Sequence, residues 1–293
     1  MRSAALLLIT ANLVYATSYV ATRLALDDIP PALLALIRLV IGGALLVPIV
    51  RFLEPAPVAP SRSDAWRIAW MGIVGFAGAF AFSHWGLARS TATNAALLII
   101  VEPLSIMALS PVVLGERLRP REVMGAALAL LGAVVVVLNG VPGVTLALAP
   151  HWRGDLLLVA GGIAYGAYTL LGRPVLARHS AMVVTVRSIV WGAGVMLPLA
   201  ALEWLDGARP VLSAHGVGWA LYLAVVITAF GYLSWNWLLA RVPAPQVAMF
   251  VTVQPVGGAL FGVLLLHEPL TVFTVAGAVL IVGGLWLTVG ERQ

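Results

Sequence analysis

Two stretches of the chain repeat one pattern. Residues 102–125 read EPLSIMALSPVVLGERLRPREVMG, and residues 254–277 read QPVGGALFGVLLLHEPLTVFTVAG. At a constant offset of 152, a proline, a leucine, a glutamate, a second leucine, a valine and a glycine recur in the same order. The same offset relates WGLAR at 85–89 to WLLAR at 237–241. A collinear series of this length indicates that two related structural units follow one another in the chain.

The composition indicates that these units span a membrane. Of 293 residues, 61% are hydrophobic and 10% are charged, and the mean hydropathy is +1.03, whereas soluble domains carry about 25% charged residues. Since one spanning helix needs about 20 apolar residues, the apolar runs predict an all-α, polytopic membrane protein with ten transmembrane helices. Their approximate limits are 4–25, 31–50, 65–87, 93–114, 121–140, 154–176, 181–202, 216–239, 245–266 and 271–289.

Two residue types are missing, and their absence excludes several kinds of chemistry. The chain has no cysteine, and all 17 of its basic residues are arginine. Without cysteine there are no disulfides and no thiolate ligands, and without lysine there is no P-loop of the GxxxxGK type. We therefore expect no metal site, no cofactor and no ATP-driven motor within this chain.

The ten spans divide into five and five. We predict a first five-helix repeat over 1–140, a linker over 141–151 and a second repeat over 152–293. Because five is odd, the second repeat enters the membrane from the opposite side, so the repeats are inverted in topology. Inverted repeats with a solute site near the midplane between them are typical of alternating-access secondary transporters.

The arginines give an orientation. With ten spans, eleven of the 17 arginines fall on the side of the two termini, and two, Arg38 and Arg187, fall within spans. The opposite side holds only Arg23, Arg89, Arg153 and Arg209. Under the positive-inside rule this bias predicts that both termini are cytoplasmic, in a bacterial-type plasma (inner) membrane. The net charge of +5 is therefore read as an orientation signal and not as a nucleic-acid surface.

These motifs carry a family resemblance over essentially the whole chain. Five plus five spans, each half closing with Pro-x10-Leu-x-Glu-x-Leu-x4-Val-x-Gly, resemble the drug/metabolite transporter superfamily and, within it, EamA-type exporters. The aromatic residues of the first, third, sixth and eighth spans are most similar to those of YddG-type bacterial amino-acid exporters. The resemblance implies export of small organic solutes, with aromatic or neutral amino acids as the first candidates.

Polar and aromatic side chains at membrane depth are the candidate solute-binding residues, because such groups are costly in lipid and usually face a cavity or a partner helix. In the first span Asn12, Tyr15 and Tyr19 lie on one helical face. The other spans add Phe80, His84 and Trp85 in the third, Tyr165 and Tyr168 in the sixth, and Trp237 in the eighth. Hydrogen bonding between helices is the alternative for the tyrosines, and an interfacial aromatic belt is the alternative for the two tryptophans.

Glu102 is the one carboxylate that falls well inside a predicted span. At that depth a neutral, protonated form is favoured, which makes Glu102 a candidate proton site for antiport, or else a hydrogen-bonding group of the bundle. Its repeat-related residue is Gln254, which cannot titrate. Pro103 and Pro255 follow these two positions and predict kinks that leave the carbonyl groups of residues 99 and 251 without their usual donors.

Four further charged residues have two interpretations each. Arg38 and Arg187 either hold a solute carboxylate or brace the bundle. Glu116 and Glu268 are expected to stabilise the N-terminus of the helix that follows each of them, with a role in gating as the alternative.

The predicted function is secondary transport: export of small organic solutes, amino acids first, by alternating access at a midplane cavity. The expected partners are the solute, the lipid bilayer and protons. An exporter of drugs or other metabolites, or a passive uniporter or channel, are the alternatives. An intramembrane enzyme is not expected, because neither serine nor histidine occurs in a GxSxG or HExxH setting.

Overall fold

The computed structural model describes residues 2–54, 59–115, 118–139, 141, 151–231, 234 and 253–289. All regular secondary structure in these ranges is helical. We label the helices α1 Arg2–Ala25, α2 Pro31–Leu53, α3 Arg62–Leu87, α4 Ala92–Leu98 with Val101–Leu114, α5 Pro120–Leu138, α6 Trp152–Leu176, α7 Ala181–Leu205, α8 Ala214–Phe230, α9 Val253–Leu266 and α10 Val272–Val289.

The all-helical, membrane-spanning fold predicted from the sequence is confirmed. Six helices among the described residues, α2 to α7, are long and apolar enough to cross a membrane, and α8 to α10 are shorter apolar helices. The end of the predicted eighth span, the junction and the start of the predicted ninth span, 232–252 apart from Ser234, lie outside the described residues, and so does most of the predicted linker.

Helix boundaries follow local chemistry that recurs in both repeats. Ser61 begins α3 by accepting the backbone N–H of Asp64 at 3.1 Å, and Ser213, 152 residues later, begins α8 by accepting that of Gly216 at 2.8 Å. Both satisfy a donor that a helix start would otherwise leave unpaired. α4 ends in a left-handed residue, Gly115, with φ of 69°, the usual helix-ending conformation.

The equivalent helices of the two repeats pack against each other in antiparallel fashion. Gly132 of α5 lies against Gly277 of α10, where an added Cβ would come within 2.7 Å of the Gly277 carbonyl oxygen, and Gly284 lies against Gly125. The pairs run in opposite directions along the two helices, and the offset of 152 turns Gly132 into Gly284 and Gly125 into Gly277, so it exchanges one pair for the other. This exchange requires a two-fold axis perpendicular to α5 and α10, which is the geometry of an inverted repeat.

Several further contacts obey the same two-fold relation. α1 packs on α9 as α6 packs on α4, and α3 packs on α6 as α8 packs on α1. Two repeat-related glutamates also match: Glu203 accepts the Ala32 N–H at the start of α2 at 2.8 Å, and Glu54 accepts the Ser180 hydroxyl at the start of α7 at 2.5 Å. Helices of one repeat are therefore held mainly by helices of the other.

Both repeats contain a π-helical segment at the same place. It covers Met71–Gly78 in α3 and Leu223–Phe230 in α8, again 152 residues apart. π-Helical turns are rare and are often found at functional sites, and these two immediately precede or include residues that line the central cavity.

Candidate functional site

A cavity of about 290 Å³ lies among α1, α2, α3, α4, α6, α8 and α9, and thus between the two repeats. We call it the central cavity. The described residues of its wall are Tyr15, Ser18, Tyr19, Thr22, Arg38, Phe80, Ser83, His84, Leu87, Ala95, Leu98, Ile99, Glu102, Leu158, Gly162, Tyr165, Ile227, Thr228 and Gln254. It lies towards the end of the bundle at which α1 and α3 end and α2, α4 and α6 begin, which we call the cavity end.

Glycines on neighbouring helices make room for the two tyrosines of α1. The Tyr15 hydroxyl donates to the Gly231 carbonyl oxygen of α8 at 2.5 Å. A Cβ at Gly231 would come within 2.8 Å of the Tyr15 ring, and one at Gly258 within 2.8 Å of the Tyr19 ring. Glycine at these two positions lets the rings occupy the space between α1, α8 and α9, so the aromatic wall depends on residues that have no side chain.

Arg38 of α2 is 8% exposed and faces an aromatic group. Its guanidinium carbon lies 4.6 Å from the centre of the Phe80 ring, and its Nη1 lies 3.0 Å from Nε2 of His84. The Thr228 hydroxyl is at 3.5 Å from its Nε. A cation over an aromatic face is stabilised by the negative face of the ring, so Phe80 and His84 together set the orientation of this charge.

Glu102 stands where α4 is interrupted. The first segment of α4 ends at Leu98 and the second begins at Val101, which places Glu102 in the first turn of the second segment with its side chain on the cavity wall. Gly162 of α6 allows the close approach, because a Cβ there would lie 2.9 Å from the Cβ of Val101. Tyr19 and Tyr165 lie within electrostatic range of the Glu102 carboxylate.

The break in α4 differs in detail from the prediction at Pro103. The Ile99 carbonyl oxygen, expected to lack a donor, accepts the Glu102 N–H at 3.1 Å, because the chain tightens into an i to i+3 turn there. The repeat-related Pro255 lies within α9, and Pro103 is the third residue of the helical segment Val101–Leu114. Proline is tolerated in a first turn, since the N–H it lacks would have no helical partner there.

Seven of the candidate solute-binding residues line the central cavity: Tyr15, Tyr19, Phe80, His84, Glu102, Tyr165 and Gln254. Asn12, Trp85 and Tyr168 lie behind the wall. Asn12 is fully buried and accepts the Gln254 side-chain N–H at 2.9 Å, so it supports a lining residue. Trp237 lies outside the described residues.

Trp85 and Tyr168 serve the packing of helices. The Trp85 indole N–H donates to Glu203 of α7 at 2.6 Å, and the Tyr168 ring meets Phe76 edge-on, with the ring centres 5.3 Å apart. Neither side chain is among the described residues of the cavity wall, so a role of Trp85 and Tyr168 in solute binding stays a prediction. Ser83 and Thr228 also line the cavity and were not predicted from the sequence. Nothing in the sequence distinguishes them from the many other serines and threonines of the chain.

Glu268 stabilises a different helix from the expected one. Its carboxylate accepts the backbone N–H groups of Ala92 and Thr93, at 2.7 and 2.8 Å, and so caps α4 of the other repeat instead of the following α10. Glu116 lies outside the described residues. Arg187 of α7 is not part of the cavity wall, unlike Arg38.

Comparison with known proteins gives consistent results over the full length. The profile of the "EamA-like transporter family" matches residues 2–138 and again residues 152–290. A "probable amino-acid metabolite efflux pump" of Salmonella typhimurium is 28% identical, with 94% of this chain and 91% of that protein covered. A "probable terminal-alkyne amino-acid exporter" of Streptantibioticus cattleyicolor is 27% identical, with 98% and 94% covered.

One solved crystal structure has the same fold. It superposes with a TM-score of 0.66 at 25% sequence identity and covers 97% of this chain and 95% of its own.

Proposed function

Because the chain belongs to the EamA-like transporter family, we propose that it is a secondary transporter that exports amino acids, neutral and aromatic ones first. The observation that carries this proposal is the central cavity, where the described lining residues supply aromatic rings, hydroxyls, one arginine and one carboxylate. Its volume of about 290 Å³ is at the lower end of the range of about 300–1,000 Å³ for small-molecule pockets, which favours a small metabolite over a bulky drug. The family and the relatives are transporters and not enzymes.

The proposed mechanism is alternating access by rocking of the two repeats, 1–140 and 152–293, about the cavity. It is supported by the two-fold exchange of helix contacts, since two units related in this way have two equivalent packings available. It is also supported by polar contacts between helices, which we call polar ties, at both ends of the bundle. At the cavity end Glu203 joins α7 to α2 and α3, and at the other end Asp64 of α3 meets Arg178 and His179, which follow α6, at 2.5 and 3.1 Å.

Orientation and localisation are part of the proposal. With both termini in the cytoplasm of a bacterial-type plasma membrane, the cavity end faces outwards and the Asp64 tie faces inwards. Protons are the proposed coupling ion, with Glu102 as their site.

Counterflow in proteoliposomes tests the function. Vesicles loaded with an unlabelled amino acid are expected to accumulate the same labelled amino acid transiently, with phenylalanine as the first probe in a panel of neutral, acidic and basic amino acids. Protein-free vesicles are the control. No counterflow with any amino acid of the panel would contradict the proposal, and equilibration of labelled solute without counterflow acceleration would identify a channel.

A further inference from the structure

One side of the central cavity is formed by aliphatic side chains from three helices. Ala95, Leu98 and Ile99 lie on one face of α4, at positions i, i+3 and i+4, up to the point where its first segment ends. Leu87 at the end of α3 and Leu158 of α6 complete this surface, and we call the five residues the apolar wall. None of these five side chains has a hydrogen-bonding group, so the apolar wall can receive only the apolar part of a solute without leaving a polar group unpaired.

Close contacts between helices hold the apolar wall in place. Gly86 of α3 lies against α6, since a Cβ at Gly86 would come within 2.9 Å of Cγ of Leu158. Four of the five wall residues, all of them buried, belong to one hydrophobic cluster that continues through α4 into α5 and α10: Leu87, Ala95, Leu98 and Leu158. Because a close-packed core responds to the addition of even one methylene, the apolar wall has a fixed shape before a solute binds.

Hydroxyl groups reach the cavity mainly from other helices. α1 supplies Tyr15, Ser18 and Thr22, α8 supplies Thr228, and α3 supplies Ser83, one helical turn before the apolar wall. Pockets for small molecules combine apolar surface with a few polar groups that fix the orientation of the ligand. An amphipathic solute therefore has one favourable orientation in this cavity, with its apolar part on α4 and α6 and its polar groups towards α1 and α8.

We propose that the apolar wall binds the side chain of the transported amino acid and that Ala95 limits the size of the side chains that fit. Ala95 has the smallest side chain of the five wall residues, so a larger residue at this position would take up space in the cavity. The inference rests on the proposed function and narrows it. The substrates are amino acids with apolar side chains, and polar neutral amino acids such as asparagine and glutamine are poor ligands.

A homologous series of inhibitors tests the apolar wall in the native protein. The series is alanine, α-aminobutyrate, norvaline and norleucine, in which each member has one more methylene, and the assay is counterflow of labelled phenylalanine in proteoliposomes. Because burial of one methylene changes an affinity about 4-fold, the concentration for half-maximal inhibition should fall about 4-fold at each step. Leucine and asparagine are nearly equal in size, and we expect asparagine to inhibit at least about 10-fold more weakly, because its amide would be buried without a partner.

Two substitutions in the apolar wall test size and polarity separately. In Ala95→Val, with labelled alanine as the transported solute, inhibition by norleucine and phenylalanine should weaken at least about 10-fold while inhibition by alanine is unchanged. Ile99→Thr places a hydroxyl in the wall, so the difference between leucine and asparagine should shrink about 10-fold. Ala108→Val and Val112→Thr are the matched controls, because they make similar changes at exposed positions of α4 outside the described cavity wall.

The outcomes separate this inference from the function. Equal inhibition along the homologous series, or by leucine and asparagine, would overturn the apolar wall as the side-chain site while leaving amino-acid transport intact. A uniform loss of affinity in Ala95→Val and Ile99→Thr, with every ratio between inhibitors unchanged, would show that these two residues serve packing alone. The inhibitor series needs no substitution, so it decides the inference even where a variant fails to fold. Absence of counterflow with every amino acid would instead contradict the proposed function itself.

Discussion

Glu102 is the one carboxylate on the described part of the cavity wall, where the other titratable groups are Tyr15, Tyr19, Arg38, His84 and Tyr165. Among the described residues its side chain is surrounded by the helix break of α4 and by two tyrosines. A carboxylate that is reached from the cavity and lies apart from the polar ties at the helix ends can gain and lose a proton without disturbing the packing.

We predict that Glu102→Gln abolishes or reverses the pH dependence of transport. The change removes the titratable group and keeps its size, and it reproduces the residue of the repeat-related position, Gln254. The measurement is counterflow and proton-gradient-driven transport between about pH 5 and 8, the range in which a buried carboxylate can titrate. Asp27→Asn, at a surface position paired with Arg23, is the control, and identical pH profiles for native protein and Glu102→Gln would rule out proton coupling at this residue.

At the scale of single residues, the sequence identified polar and aromatic side chains at membrane depth. It was less informative about the direction in which each of these side chains points. Tyr15 and Tyr19 are four residues apart on α1, and both line the cavity as their shared face requires. Trp85 is only one residue from His84, but one residue rotates a helix by about 100°, and this turns the indole to Glu203. The contacts of Arg38 were equally hard to predict, because Phe80 and His84, which it meets, are on a different helix.

At the scale of elements, the paired π-helical segments are the feature that a helical periodicity does not reveal. A segment with i to i+5 hydrogen bonds shifts every residue that follows it around the helix axis. In α8 the Thr228 hydroxyl donates to the Leu223 carbonyl oxygen at 3.0 Å, five residues back, and Thr228 then lines the cavity. The faces of α3 and α8 that meet the cavity therefore follow from tertiary packing and not from a regular 3.6-residue repeat.

The ends of α4 and α9 allow a test of backbone conformation in matched positions. Gly115 and His267 are 152 residues apart and both have positive φ, 69° and 53°. The left-handed conformation costs a residue other than glycine about 1–2 kcal/mol. Glycine avoids this cost, but its greater freedom in the unfolded chain offsets part of the gain in stability. We expect His267→Gly to stabilise the protein by about 0.5–1 kcal/mol and Gly115→Ala to destabilise it by about 1 kcal/mol.

Unfolding of the purified protein in detergent is the measurement, with Gly194→Ala as the control. Gly194 lies inside α7 with open space around its Cβ position, so alanine there should stabilise the helix. If His267→Gly and Gly115→Ala shift the unfolding temperature in the same direction, the shared left-handed conformation is not what ends these two helices.

At the scale of the whole molecule, the sequence offset and the structure describe one symmetry. The offset of 152 predicted two repeats and their odd number of spans predicted inversion. The antiparallel glycine contacts of α5 with α10 provide the axis. The sequence offset does not predict which helices of the two repeats contact each other. Glu268 caps α4 and not α10, so a carboxylate of one repeat stabilises a helix start in the other.

The orientation of the protein in the membrane can be measured by single-cysteine labelling, because the chain has no cysteine. Ser63, at the start of α3, and Ala208, between α7 and α8, are both exposed. Five helices, α3 to α7, separate them, so an inverted pair of five-span repeats places them on opposite sides. With cytoplasmic termini, a membrane-impermeant maleimide should label Ala208→Cys in intact cells and Ser63→Cys only after permeabilisation. The cysteine-free parent is the control. The reverse pattern would turn the cavity end towards the cytoplasm and make the arginine bias misleading, whereas labelling of both in intact cells would contradict an odd number of spans between them.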